Sequence, residues 1–311
     1  SIPTALNELI KNAHDAYADN FSADLIRKEE LLVIRDDGIG MTRADFENRW
    51  LTLGTESKSV ENSEEIPRDP AKQPRNIMGA KGIGRLAIAS IGNQVLILTK
   101  SKLVPESQIV ACFINWSVFE LPFINLEDIV IPVEEYDHIP TKSEIHKLCD
   151  ESRKSLISLL DKYKTWNADF DRILKRIEDF SVDPIVLAAS LPGNFSLDTS
   201  SGGTWFFISP VSETLYIDAE REKDSDEASK LEKMLAGFHN TMIPGHPKPD
   251  IDIAFRDFRG SDFSSFTSLI QEDSFFTVED FNMADHHFSG DFDSFGQFRG
   301  MIRIYGEKTY D

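Results

Sequence analysis

Three short segments near the start of the chain constrain its fold more than anything else: Glu8-Leu9-Ile10-Lys11-Asn12-Ala13-His14-Asp15-Ala16, Asp36-Asp37-Gly38-Ile39-Gly40-Met41 and Gly79-Ala80-Lys81-Gly82-Ile83-Gly84-Arg85. The first lies in a helix predicted over residues 3–20, where Leu6, Leu9, Ile10, Ala13 and Tyr17 recur at helical spacing and Pro3 suits a first turn. The second closes a short apolar strand, residues 31–35, at an Asp-Gly turn. The third opens a helix predicted from Gly84 to about Ile91. Helix, strand and glycine-led helix in that order predict a mixed α and β fold.

Each segment also has a chemistry. Glu8, Asn12 and Asp15 stand at i, i+4 and i+7, so they share one helix face. Apolar neighbours on that face predict partial burial, and buried polar groups need partners. A carboxamide oxygen such as that of Asn12 can ligate Mg²⁺, which keeps several waters and takes phosphate oxygens. A carboxylate one turn away, Glu8, can accept a proton from an attacking water. Asp36 ends its strand with free oxygens that can accept the exocyclic amine of adenine, while Gly38 and Gly40 let a flat base approach. Backbone N–H groups around Gly82 and Gly84 can face phosphate oxygens at a helix start, with Lys81 or Arg85 adding charge. Neither a Rossmann nor a Walker signature is present.

The composition narrows the classes. With 311 residues, 41% hydrophobic and 28% charged, the chain is globular and long enough for two domains. A formal charge of −20 opposes a general grip on nucleic acid, so direct nucleic-acid contact is disfavoured. One local reversal stands out: Arg68, Lys72, Arg75, Lys81, Arg85, Lys100 and Lys102 are interrupted by Asp69 alone, as a bound polyphosphate or a solvated basic loop would favour. No apolar run reaches the roughly 18 residues of a membrane span. Two cysteines without metal-ligand spacing, Cys112 and Cys149, predict a reducing, cytoplasmic setting. Ser1-Ile2-Pro3 runs almost directly into a helix, which predicts a native start upstream.

Further along, Thr42 caps a helix through about Leu51, with Asp45 as the capping-box acid. Residues 52–78 are polar and aperiodic, as expected of a loop over a site. Strands are predicted at Gln94–Lys100, Gln108–Trp116 and Gly203–Ile208, and a helical hairpin at about 142–180. After Pro244 phenylalanines recur among aspartates, with strand-like runs at Ile251–Phe255 and Gly300–Tyr305; the division is residues 1–245 and an incomplete second domain, 246–311. His286 and His287 would point to opposite faces of a strand, which disfavours a metal site there.

Taken together, the three segments resemble the GHKL superfamily of ATPases. Residues 5–16 look like its N-box, residues 36–41 its first glycine box and residues 79–85 its second. Gly203-Thr204 with Ile208 is similar to the strand that closes the adenine pocket. Thr52 to Ser59, with Lys58, looks like the Ser-Lys segment of MutL-type and MORC-type relatives, and the short interval from Glu8 to Asp36 fits those branches better than the heat-shock chaperones. The resemblance implies a Bergerat fold: an α+β sandwich of mixed sheet with helices on one face, followed by a partial β-rich, transducer-like domain. It implies ATP and Mg²⁺ as ligands, with Glu8 the general base, Asn12 the metal ligand and Asp36 the adenine acceptor. Gly38, Gly40, Met41, Lys58, Gly79, Lys81, Gly82, Ile83, Gly84, Arg85 and Thr204 would line base and phosphates, and Asp15 belongs to the same box.

The implied activity is hydrolysis driving a conformational switch, with an ATP-dependent homodimer and a protein partner or client, in a repair, chaperone-like or defence system. Two other readings stay open. Phosphotransfer as in histidine kinases is opposed by Glu8, which those enzymes do not need. A module that senses ATP without turnover is opposed by the joint presence of Glu8 and Asn12.

Overall fold

Four strands read as nearly unbroken apolar runs, and such strands form where both faces of a sheet are covered. In the computed structural model, which describes residues 1–51, 69–75, 77–78, 84–121, 124–164, 168–198, 201–221, 227–238, 251–260, 263–270, 282–305 and 307–310, those runs lie inside one mixed sheet. The chain forms two units, Ser1–Met234 with Asp250–Leu269, and Leu235–Pro249 with Ile270–Asp311.

The first unit opens with α1 (Ile2–Asp15), whose proline sits in the first turn and whose Leu6, Leu9, Ile10 and Ala13 are buried. Each such leucine or isoleucine contributes roughly 1.5–3 kcal/mol relative to exposure. The helix stops five residues earlier than its periodicity predicts. Ala16 is the C-cap, and Tyr17 takes φ 60°, a left-handed turn that releases the chain into β1 (Asn20–Ile26). A tight connection leads to β2 (Leu31–Asp36), antiparallel to β1. Thr42 then caps α2 (Arg43–Asp45) through the predicted box with Asp45, and a π-helical turn runs on from Phe46 to Leu51.

After α3 (Gly84–Ile91) come β3 (Gln94–Lys100), β4 (Ile109–Asn115) and β5 (Val133–Tyr136). The expected hairpin is α4 (Lys142–Tyr163) and α5 (Ala168–Asp179), followed by α6 (Pro184–Ser190). β6 (Gly203–Ile208), α7 (Glu213–Ala219), α8 (Lys230–Phe238), β7 (Asp252–Phe258) and β8 (Thr267–Ser268) follow. The strand order is β5-β4-β3-β6-β2-β1-β7-β8, antiparallel throughout except that β7 runs parallel to β1.

Alternation assigns the two faces of this sheet. Leu96, Leu98, Phe113, Trp205 and Phe207 pack into one cluster with α4, α5 and α6. Phe206, from the opposite face of β6, meets Trp50 at 6.4 Å, and Trp50 stacks on Phe46. The inserted hairpin thus adds a second helical layer to the one the sequence led us to expect. Cys112 and Cys149 are free and buried in this unit, and burial pushes both thiols up, that of Cys149 to about 12.

The division near residue 245 needs correction. Residues 252–258 do not start the second unit; they are β7, and Phe255 and Phe258 are core residues of the first. The predicted C-terminal strand is real but belongs to a separate antiparallel sheet in the order β11-β10-β9: β9 (His286–Phe292), β10 (Phe298–Ile304) and β11 (Glu307–Tyr310). Phe288 and Phe292 there are 67% and 73% exposed, so the phenylalanine-rich region is not one core. His286 and His287 sit next to each other on β9.

Candidate functional site

The Asp36 carboxylate sits where three strands end together. β2 and β6 pair Asp36 with Thr204, and β3 and β6 pair Thr99 with Thr204, so three polar residues share one row of the sheet. Asp36 is 6% exposed, and its Oδ1 accepts the Gly38 N–H at 2.9 Å. Burial is the main influence on this carboxyl and pushes it up to about 7, opposing the N–H groups of Gly38 and Thr204 and the charge of Lys102; Asp37 works in the same direction as burial.

Two hydroxyls complete the row. Thr99 Oγ1 donates to the Gly203 carbonyl at 3.0 Å, accepts the Met41 N–H at 3.1 Å and lies 3.1 Å from Thr204 Oγ1. The first glycine segment is thereby fastened to β3. Thr99 was not singled out from sequence; the available signal was a lone hydroxyl in an otherwise apolar strand.

The turn after Asp36 needs its glycines for contact. Gly40 has φ +62°, and a Cβ there would lie 1.8 Å from the Lys100 carbonyl oxygen. Gly203 has φ +142°, and a Cβ there would lie 2.1 Å from the Asp36 backbone carbonyl oxygen. Asp37 is structural: its carboxylate accepts the N–H groups of Asp19 and Asn20, both at 2.8 Å, and the Asn20 amide at 2.6 Å. The Ile39 N–H donates to the Ala16 carbonyl at 2.7 Å, which joins the turn to the end of α1.

On α1 the three polar residues differ in setting. Glu8 is 28% exposed and pairs with Lys11 at 2.8 Å. Asn12 is exposed, not partly buried as its neighbours led us to expect, because the apolar stripe is satisfied by the flanking leucines and alanine. Asp15 Oδ1 accepts the Met78 N–H at 2.8 Å and stands 3.4 Å from His14 Nδ1, so it ties α1 to the segment leading into the second glycine box. The backbone of α3 starts at Gly84 and packs against α1. Lys58, Gly79, Lys81, Gly82 and Ile83, and the side chain of Arg85, lie outside the described residues.

Four residues of the basic stretch, Lys72, Arg75, Lys100 and Lys102, have a different explanation from either expectation; Arg68, Lys81 and the Arg85 side chain lie outside the described residues. Lys72 donates to the Tyr17 carbonyl at 2.7 Å and pairs with Asp19 at 2.6 Å. Arg75 donates to the Ala18 carbonyl at 2.7 Å and the His14 carbonyl at 3.3 Å. Both cations meet the negative end of α1, where a helix attracts them. Lys100 donates to the Ser201 carbonyl at 3.3 Å, and Lys102 pairs with Asp69 at 3.0 Å. These four are internal ties.

A metal fits here only in company. Among the described residues no group of three or more His, Cys, Asp or Glu side chains could hold an ion. Asn12 offers one exposed oxygen, which suits Mg²⁺ arriving with phosphates and water rather than a cage of protein ligands.

A mixed sheet, an Asp-led glycine turn at the end of its central strands and an N-terminal helix bearing acid and amide agree with the GHKL-type arrangement that the sequence led us to expect. In agreement, residues 1–127 match the family described as histidine kinase-, DNA gyrase B- and HSP90-like ATPase. The chain is also 36% identical over 103 residues to a protein of Herpetosiphon aurantiacus named "Putative type II restriction enzyme HgiDII". That match covers 33% of this chain and 15% of the relative. Among the described residues no helix is long and apolar enough to cross a membrane.

Proposed function

We propose that the chain binds ATP at the Asp36 row and hydrolyses it in the presence of Mg²⁺, acting as an ATP-driven switch that pairs two copies. The observation that carries this reading is the buried carboxylate of Asp36, aligned with Thr204 and Thr99 behind a glycine turn. A buried carboxylate is costly unless its oxygens are satisfied; the Gly38 N–H donates to Oδ1, and the adenine amine would be a further donor. Gly38, Gly40 and Met41 would line the base. Gly79, Lys81, Gly82, Ile83, Gly84 and Arg85 would face the phosphates, with Lys58 on the segment before them.

Glu8 serves as general base: it takes a proton from the water that attacks the γ-phosphorus, while the bond to the bridging oxygen breaks and ADP leaves. Asn12 would hold the Mg²⁺, which neutralises charge on the phosphates when bound. Asp15 holds Met78, just before the second glycine segment, to α1. Residues 270–311 would contribute to a transducer-like part, and cytoplasmic residence is proposed with it. The name of the relative favours a restriction system as the setting. With a net charge of −20, this portion would drive a DNA-acting partner or domain rather than grip DNA.

Phosphate release from ATP with Mg²⁺ and with chelator tests hydrolysis, and light scattering with a non-cleavable analogue tests pairing. Calorimetry showing no uptake of ADP or ATP would overturn the reading. Binding without turnover would leave the ATP-sensing alternative.

A further inference from the structure

The stretch of chain that leaves α1 carries ties to both glycine segments. On one side it holds the Asp36 turn: the Ala16 carbonyl accepts the Ile39 N–H at 2.7 Å, and Asp37 accepts the N–H groups of Asp19 and Asn20. A Cβ on Gly38 would lie 2.9 Å from that same Ala16 oxygen, so turn and helix end touch. On the other side it holds Lys72, Arg75 and Met78, on the chain leading into the second glycine segment. The last carbonyls of a helix lack intrahelical partners, and cations supply them here. Lys72 Nζ donates to the Tyr17 carbonyl at 2.7 Å, and Arg75 donates to the His14 and Ala18 carbonyls at 3.3 and 2.7 Å. The Arg75 side chain is 10% exposed, and its guanidinium lies 5.7 Å from the centre of the buried Tyr17 ring. The Met78 N–H completes the set on Asp15 at 2.8 Å.

We propose that Arg75 is a positioning residue that fixes the phosphate-side glycine segment against the adenine-side turn, with the exit of α1 as their common mount. This rests on the nucleotide reading above. Met78 immediately precedes Gly79, so its bond to Asp15 fixes where that segment starts. Arg75 acts through the mount, since its two carbonyl partners flank the Tyr17 turn. Without that fork the segment is correctly placed in fewer molecules, and apparent affinity falls by the same fraction. The adenine side keeps its own ties through Ala16 and Asp37, so the base is held as before. A clasp that only stabilised the fold would affect nucleoside and nucleotide alike. A cation that only attracted phosphate would be replaced in full by lysine.

The test is NMR titration of the full chain with adenosine and with ADP, followed at the Gly38 and Gly40 amides, alongside hydrogen exchange at the Met78 amide. Arg75→Met should weaken ADP about tenfold, leave adenosine within about twofold, and speed exchange at Met78 in the nucleotide-free protein. Arg75→Lys keeps the charge and loses the fork, so it should fall between wild type and Arg75→Met on both readouts. Where Arg75→Met fails to fold, Lys72→Met is read in the same way. ADP and adenosine weakened equally, neither weakened, or complete restoration by lysine overturns the proposal. A wild type that takes up neither ligand sinks the nucleotide reading itself, and this inference with it.

Discussion

Arg256 Nε donates to Asp24 Oδ1 at 2.6 Å across 232 positions of sequence, and the carboxylate is fully buried. Arg35 shares that carboxylate at 3.0 Å, and both guanidinium groups also donate to the Pro192 carbonyl. One anion thus serves two cations at the junction of β1, β2 and β7. Burial holds the Arg35 guanidinium below its ordinary value despite Asp24, with Arg256 adding to the effect. Asp24→Asn would leave two buried cations facing each other. It should cost on the order of 3–5 kcal/mol in denaturant unfolding, and a loss below about 1 kcal/mol would mean that water reaches the cluster.

Asp36→Asn should separate binding from stability. The folded carboxyl titrates at about 7, against 3.8 as its ordinary value. Between those values the folded chain holds a proton that the unfolded chain has lost, so this group's contribution to stability declines as pH rises through that window, then levels. The asparagine does not titrate, so the variant should gain on the wild type with rising pH, by a few kcal/mol at most near pH 8. Its ADP affinity should drop about 100-fold or more, because an amide nitrogen would face the adenine amine. Melting curves from acid to pH 8 with calorimetry decide it; a parallel pH dependence in both proteins would discount the raised carboxyl.

For Glu8→Gln the expected result is a split. Hydrolysis should fall about 100- to 10,000-fold while ADP affinity stays near wild type. The pair with Lys11 is part-exposed on both sides, so its loss should cost no more than about 1 kcal/mol. Equal loss of binding and turnover would remove Glu8 from the role of base.

Gly203→Ala probes the closeness of β2 and β6 beside Asp36. With φ +142° and a clash at 2.1 Å against backbone, the methyl forces the strands apart. We expect a loss of about 3 kcal/mol or more and weakened ADP binding in proportion. A stable variant with unchanged affinity would show that the row tolerates displacement.

Much of the sheet was legible because its inner strands are apolar along their whole length. β2, β3, β4 and β6 announce themselves, and so do the glycine turn at Asp36 and the capping box at Thr42. β1 was hidden by Ser22 and Asp24, polar residues in a strand buried from Phe21 onward; Asp24 is matched by Arg35 on the next strand and by Arg256, 232 positions away. The end of α1 was obscured because Tyr17 continues the apolar spacing while its backbone has already turned left-handed. Lys72 and Arg75 of the basic stretch misled for a related reason: composition reports charge, and only the fold shows that they meet carbonyls at and just past the end of α1. The meeting of Asp36, Thr99 and Thr204 depends on register, which no local pattern contains.

The place of β6 between β3 and β2 has a consequence for biosynthesis. The matched residues 1–127 hold two antiparallel hairpins, β1–β2 and β3–β4, that share no hydrogen bonds with each other. They become one sheet when Gly203–Ile208 slides between them. On the ribosome, the row of Asp36, Thr99 and Thr204 therefore cannot exist until the chain has been made through the inserted helices to Ile208.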